Sequence, residues 1–248
     1  MKKAKVLILV EGEKTEQQLF AHFFNLYGEK DVEIISFKTN LYVFYHHLLK
    51  NYSVDDKIDY DAIDLPLFIC EYLKLPQHEW LQSDDFIDKL LIFDFDPQDG
   101  RFSEEKIIDL MTHFSQSTDL GKLYINYPMV ESVFDLNHLT KHNFATSFVT
   151  YDVLKQKIGK KNKYKVEVWN RSCIKRIREI TPEVGNIILH VNNEKLSRLT
   201  NDNTDNKFIN FCSLQCTALA NNHRIWILNT SILHFYEEYG PILNDDHL

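Results

Sequence analysis

Three acidic residues stand out by where they fall in the chain. Glu11 directly follows the apolar run at residues 5–10 (KVLILV), and Asp94 and Asp96 directly follow the run at 89–93 (KLLIF). Both runs are short, continuous and aliphatic, which marks buried strands. Pro97 ends the second by taking a donor out of the ladder. Alternate side chains of an extended segment share a face roughly 6.5–7 Å apart, so Asp94 and Asp96 can both face one cation while Phe95 packs away. Carboxylate oxygens suit a hard ion such as Mg²⁺, which takes one or two of them and keeps waters or phosphate oxygens. Without a cation the three carboxylates would repel one another. Aspartate is also a common turn residue, so either motif alone says little. The signal is their joint occurrence, each beyond its own buried strand, where open α/β sheets bind their ligands.

The elements that must position these acids begin as a β-α-β unit. From Thr15 the apolar residues Leu19, Phe20, Phe23, Phe24 and Tyr27 recur at helical spacing, Gly28 supplies the stop, and residues 32–37 read as a second strand. Such units favour parallel sheets with right-handed crossovers. Residues 41–49 read as a short helix. Residues 51–88 show no clean period apart from an apolar patch near 65–75 and are set apart as an insertion. Ser103 caps a helix with Glu104 and Glu105 in its first turn and Ile107, Met111 and Phe114 on one face. Residues 122–127 make a fourth strand, and Pro128 opens a helical turn that carries Glu131. The expected class is therefore α/β, with a mostly parallel sheet flanked by helices over residues 1–138. A mainly helical region is expected over 139–248, with helices at 174–180, 182–199, 207–219 and 225–236.

Composition narrows the function classes. A chain of 248 residues with 44% apolar and 13% aromatic content has enough core for one large or two small units, which excludes general disorder. Its seven glycines come no closer than sixteen positions, so neither a Walker A loop nor a GxGxxG fingerprint is present. An ATPase, a kinase and a Rossmann dehydrogenase are thereby disfavoured. Cys70, Cys173, Cys212 and Cys216 lack paired CxxC spacing, and the histidines fall at no ligand spacing. The apolar run at 6–10 is too short for a signal peptide core or a membrane span, so a cytoplasmic protein with no membrane partner is expected.

The net charge of −8 hides two opposite segments. From Tyr52 to Glu105 fifteen acids face four bases, whereas from Lys155 to Arg178 ten bases face one acid, Glu167. Fields act over about 8–10 Å, so the segments must be read separately. Lys155, Lys157, Lys160, Lys161, Lys163, Lys165, Arg171 and Arg176 could neutralise polynucleotide phosphates, with Tyr164 and Trp169 to stack on bases. A solvated loop and helix face would look the same.

Val10-Glu11-Gly12-Glu13-Lys14-Thr15-Glu16, Phe93-Asp94-Phe95-Asp96 and Asn126-Tyr127-Pro128-Met129-Val130-Glu131-Ser132 together resemble the TOPRIM domain. The nearest likeness is to the RloB-like and OLD-family nucleases of bacterial anti-phage, abortive-infection systems. The resemblance covers roughly the first half of the chain, with the motifs in family order. It implies that Glu11 is the general acid or base at the scissile phosphodiester, and that Asp94 and Asp96 hold Mg²⁺ or Mn²⁺. Glu11 would also ligate a metal or shuttle the proton, and Glu131 would be a further ligand or a positioning residue. Lys14 reads either as a phosphate contact or as a solvated first-turn lysine. Asp99 reads either as an outer ligand or as a turn residue. The implied activity is metal-dependent hydrolysis of DNA or RNA by the effector of an antiviral defence system. The implied partners are nucleic acid, a separately encoded ATPase subunit and further copies of the chain.

Other readings compete. The main one is a TOPRIM-like scaffold or sensor subunit that binds a partner ATPase and has little activity of its own. A haloacid-dehalogenase-type phosphatase also places DxD after a strand, but its motif continues to Thr or Val where this chain has Gln98. A glycosyltransferase would use DxD to hold the metal of a nucleotide-sugar.

Overall fold

The computed structural model describes residues 5–26, 31–130, 132–133, 148–150, 206–231 and 234. The chain divides into two compact units, Met1–Tyr124 and Ile125–Leu248. The first is built on a mostly parallel five-stranded sheet flanked by helices, which is the α/β class that the alternating strand and helix signals imply. Its elements are β1 (Lys5–Val10), α1 (Thr15–Leu26), β2 (Val32–Ser36), α2 (Leu41–Tyr52), a small hairpin of β3 (Ser53–Val54) and β4 (Lys57–Ile58), α3 (Leu65–Leu73), β5 (Phe86–Asp94), α4 (Glu104–His113), β6 (Ser115–Gln116) and β7 (Gly121–Asn126).

The sheet order is β2-β1-β5-β7-β6. β1 is an inner strand, next to β5 at the centre, and its Val6 to Val10 are all buried, the signature of a strand covered on both faces. It pairs in parallel with β2 from Val6↔Val32 to Val10↔Ser36, and with β5 from Val6↔Asp88 to Val10↔Ile92. The chain leaves β1 for β2 on one side and reaches β7 beyond β5 on the other. The topological switch point thus lies between β1 and β5, where open α/β sheets form their ligand crevice.

Aromatic packing ties the helices to this sheet. The Phe37 ring, just past β2, lies 5.4 Å from Phe44 of α2, 6.0 Å from Phe68 and 4.0 Å from Tyr72 of α3, and 6.4 Å from Phe93 of β5. Each such pair contributes about 0.5–1.5 kcal/mol beyond area burial. The 51–88 segment folds as the β3–β4 hairpin, three 3₁₀ turns and α3, whose Leu65, Phe68, Ile69 and Cys70 are buried. Asp64 caps α3 by accepting from the Leu67 N–H at 3.0 Å, and Ser103 caps α4 as its sequence implies. Gly121, which starts β7, has φ +137°, and a Cβ there would come within 2.6 Å of Leu91 Cδ1, so only glycine fits.

In the second unit, β8 (Phe148–Thr150) pairs antiparallel with β9 (Arg224–Trp226), and α5 (Asn206–Asn222) includes the helix expected at 207–219. The Gln215 side chain grips β9, accepting from Trp226 N and donating to Trp226 O, both at 2.9 Å. The helix expected at 225–236 is replaced at its start by β9, and Leu228 then bridges to Tyr127. The apolar run Ile225-Trp226-Ile227-Leu228 carries no period of its own, and the β-branched and aromatic residues in it favour pairing as a strand. The boundary expected near residue 138 and the helices expected at 174–180 and 182–199 lie outside the described residues.

Candidate functional site

Glu11 and Asp94 are delivered to the switch point by the two strands that flank it. The backbone at the end of β1 is fixed by Phe37 N donating to Val10 O at 2.8 Å and Lys38 N donating to Glu11 O at 3.1 Å. Lys38 takes the left-handed conformation, φ 61°, which lets the chain turn there. Glu11 Oε2 then accepts from the backbone N–H of Asp94 at 3.3 Å. The β1–β5 register has its last pair at Val10↔Ile92. The Glu11 side chain therefore engages β5 two residues beyond the point where backbone pairing with β1 stops.

The Glu11 carboxyl is pushed up from 4.5 to about 7. Burial is the largest cause, because desolvation disfavours the charged form. The Asp94 N–H opposes it, while the nearby carboxylates of Glu16, Asp96 and Asp99 add like-charge repulsion. Glu16 reaches this cluster because residue 12 is glycine. A Cβ on Gly12 would fall 2.2 Å from Glu16 Oε2, so the Glu16 carboxylate from the first turn of α1 lies directly over the loop. Sequence reasoning missed Glu16 as a site residue. The available signal was its place in the first turn of a helix, four positions after a glycine next to Glu11.

Phe95 is buried and packs edge-on against Phe102 at 5.7 Å, which leaves Asp94 and Asp96 half-buried on the other side of the segment. Asp96 Oδ1 accepts from Gln98 N at 3.4 Å. Asp99 is a turn residue and an anchor. Its carboxylate takes Arg101 Nε and backbone N at 2.8 Å, Arg101 Nη2 at 2.5 Å and Asn40 Nδ2 at 2.6 Å. The Arg101 hydrogen bonds are the main reason that its pKa is held well below the usual carboxylate range. Asn40 in turn caps α2, its Oδ1 accepting from Val43 N at 3.1 Å. The DxD loop is thereby tied to the start of α2.

The structure thus joins Glu11 to the backbone of Asp94 and brings Asp96, Asp99 and Glu16 within electrostatic reach of Glu11. Lys14 is exposed in the loop between β1 and α1. Glu131, Lys155, Lys157, Lys160, Lys161, Lys163, Lys165, Arg171 and Arg176 lie outside the described residues. The donors fit a hard divalent cation in kind, since all are carboxylate oxygens whose mutual repulsion a cation would relieve. They are not drawn onto a common point: among the described residues, no group of three or more His, Cys, Asp or Glu is placed to hold an ion. Also among the described residues, no helix is long and apolar enough to cross a membrane. No family model, curated protein or solved structure matches this chain.

Proposed function

We propose that the chain is a cytoplasmic, Mg²⁺-dependent phosphodiester hydrolase of the TOPRIM type, a nuclease acting on DNA or RNA as the effector of an anti-phage defence system. The observation that carries this reading is the 3.3 Å contact between the Glu11 carboxyl and the Asp94 N–H at the β1/β5 switch point. It sets an acid with a pKa of about 7 beside the DxD segment. A carboxyl in that range can both hold and release a proton at neutral pH, as a general acid or base must. Asp94 and Asp96 would hold the cation, with Glu11 as a further ligand. A bound Mg²⁺ would supply neutralisation of phosphate charge and a lowered pKa for its water. Lys14, exposed in the loop before α1, would contact a phosphate. The basic run from Lys155 to Arg178 would grip the polynucleotide backbone that the acidic site repels.

A second reading is a catalytically weak scaffold or sensor subunit for a partner ATPase. It is favoured by the same acids not being gathered to hold an ion among the described residues. The two separate in one assay. Purified chain is incubated with tRNA, single-stranded DNA and duplex DNA in Mg²⁺ or Mn²⁺, with and without a co-encoded ATPase, beside Glu11→Gln and Asp94→Asn. Cleavage abolished by both substitutions supports the hydrolase. Cleavage that survives both removes the assigned site, and none under any condition favours the scaffold.

A further inference from the structure

A cavity of about 460 Å³ opens in the first unit, well away from Glu11. Its walls come from the segment leading into α3, the end of α4, the turn before β7, and Lys89 of β5. Lys89 is five residues before Asp94, roughly 17 Å along an extended strand, so the cavity belongs to a different part of the sheet. Its size is that of a small-molecule site.

The lining sets the sign of the ligand. Asp61, Asp64 and Asp119 contribute three carboxylates against one lysine, whose Nζ already donates to Asp119 O at 2.7 Å. The Asp64 carboxylate is partly engaged, accepting from Leu67 N and from Ser83 Oγ at 2.9 Å. Among the described residues, the side chains of Asp61 and Asp119 have no hydrogen-bond or ion-pair partner. The lining also supplies a flat surface. The Tyr60 and His113 rings stack face to face, with centroids 3.8 Å apart and planes within 2°. The stack is pinned at both ends: Tyr60 Oη donates to Asp109 Oδ2 at 2.7 Å, and His113 Nδ1 lies 2.9 Å from Asp109 O. The His113 side chain is 43% exposed, so one ring face is covered by Tyr60 while the residue still meets solvent.

We propose that this cavity binds a small organic cation bearing an amine or guanidinium group. The ammonium or guanidinium would sit among Asp61, Asp64 and Asp119, with a planar group lying against His113. A planar cation gains from both features, because charge-assisted hydrogen bonds are about twice as strong as neutral ones and guanidinium planes stack on rings. The same chemistry is carried by a free amine and by the basic side chain of a peptide, and the test separates them.

The full chain is titrated by calorimetry with agmatine, spermidine and a short arginine-containing peptide, with choline as a cation lacking N–H donors. Saturating Mg²⁺ is present throughout to occupy competing carboxylates. Agmatine is expected to bind, choline not to bind, and the peptide to bind more weakly than the free cation. The double variant Asp61→Asn/Asp119→Asn should weaken agmatine by about ten-fold or more, which corresponds to about 1.4 kcal/mol. Both side chains are exposed, so the variant should keep the parent melting temperature. His113→Ala should weaken agmatine more than spermidine, which has no planar group. Glu11→Gln should leave binding unchanged, so this site fails or stands independently of the hydrolase reading. Binding lost equally in Glu11→Gln, binding retained in the double variant, or no binding by any of the amines would overturn the proposal. Tighter binding of the peptide would transfer the site to a protein partner and overturn the assignment to a free cation.

Discussion

The carboxylate of Glu11 accepts the backbone N–H of Asp94 at 3.3 Å across 83 positions of sequence. One strand end is thereby fastened to the other by a side chain that is itself pushed to a pKa of about 7. A protonated Glu11 carries none of the negative charge that its acidic neighbours oppose, so the fastening and the charge state are coupled. The sign for stability follows. The folded chain holds a proton that the unfolded chain has released, so this contribution is fully present below about pH 4.5 and is lost as pH rises through about 7. The gap corresponds to at most about 3 kcal/mol. Glu11→Gln keeps an acceptor and discards the charge. Denaturant melts across this range should show the variant gaining on wild type with rising pH, to a plateau above neutrality. Parallel wild-type and variant curves would mean that Glu11 titrates normally.

A divalent cation should act in the opposite sense. It competes with the proton for the same carboxylates, so Mg²⁺ should raise the melting temperature more at about pH 8 than at about pH 5. A ligand at a hundred times its Kd stabilises by about 2.7 kcal/mol, enough to read by thermal shift. The rise should shrink in Asp96→Asn and Glu11→Gln. Equal shifts at both pH values and in both variants would place the cation elsewhere on this acidic chain.

Gly12 offers a way to move Glu16 without deleting it. In Gly12→Ala the new methyl occupies the place of the Glu16 carboxylate, which is the far end of a flexible side chain and can swing away. Removing that like charge should lower the Glu11 pKa, shifting the stability profile toward acid while changing the melting temperature at low pH by little. A loss of several kcal/mol at every pH would show instead that the loop backbone itself cannot accept a Cβ.

Much of this site was legible in the sequence because its positions are punctuated by buried strands. An acid following KVLILV or KLLIF has little choice of location once those runs fill the middle of a parallel sheet. The 51–88 segment was opaque for the converse reason. A two-residue hairpin and three 3₁₀ turns carry no hydrophobic period, although Phe68 and Ile69 bury as deeply as any strand residue. Glu16 was missed because its place depends on the space above Gly12, and the strand at Arg224–Trp226 because an unpatterned apolar run does not declare whether it will pair or coil. Asp99 could not be assigned from sequence, since only the fold brings Asn40 to it.

That last contact yields a prediction with an unusual sign. Asn40 uses both ends of its amide: Oδ1 caps α2 at Val43 N, and Nδ2 donates to Asp99 Oδ2 at 2.6 Å. Asparagine and aspartate are equally good helix caps, and aspartate also suits the helix dipole, so at an isolated cap Asn40→Asp would be neutral or stabilising. Here it replaces a donor with a second carboxylate oxygen facing Asp99, which Arg101 holds ionised. Asn40→Asp should therefore destabilise at neutral pH by more than Asn40→Ser, which keeps a capping oxygen and costs about 1 kcal/mol for the lost hydrogen bond. Acid should narrow the difference, because protonating the new carboxyl restores a donor toward Asp99. Chemical denaturation of the two variants at about pH 7 and about pH 4 decides the point. If Asn40→Asp is as stable as wild type at both, the Asn40–Asp99 tie does not hold the DxD loop to α2.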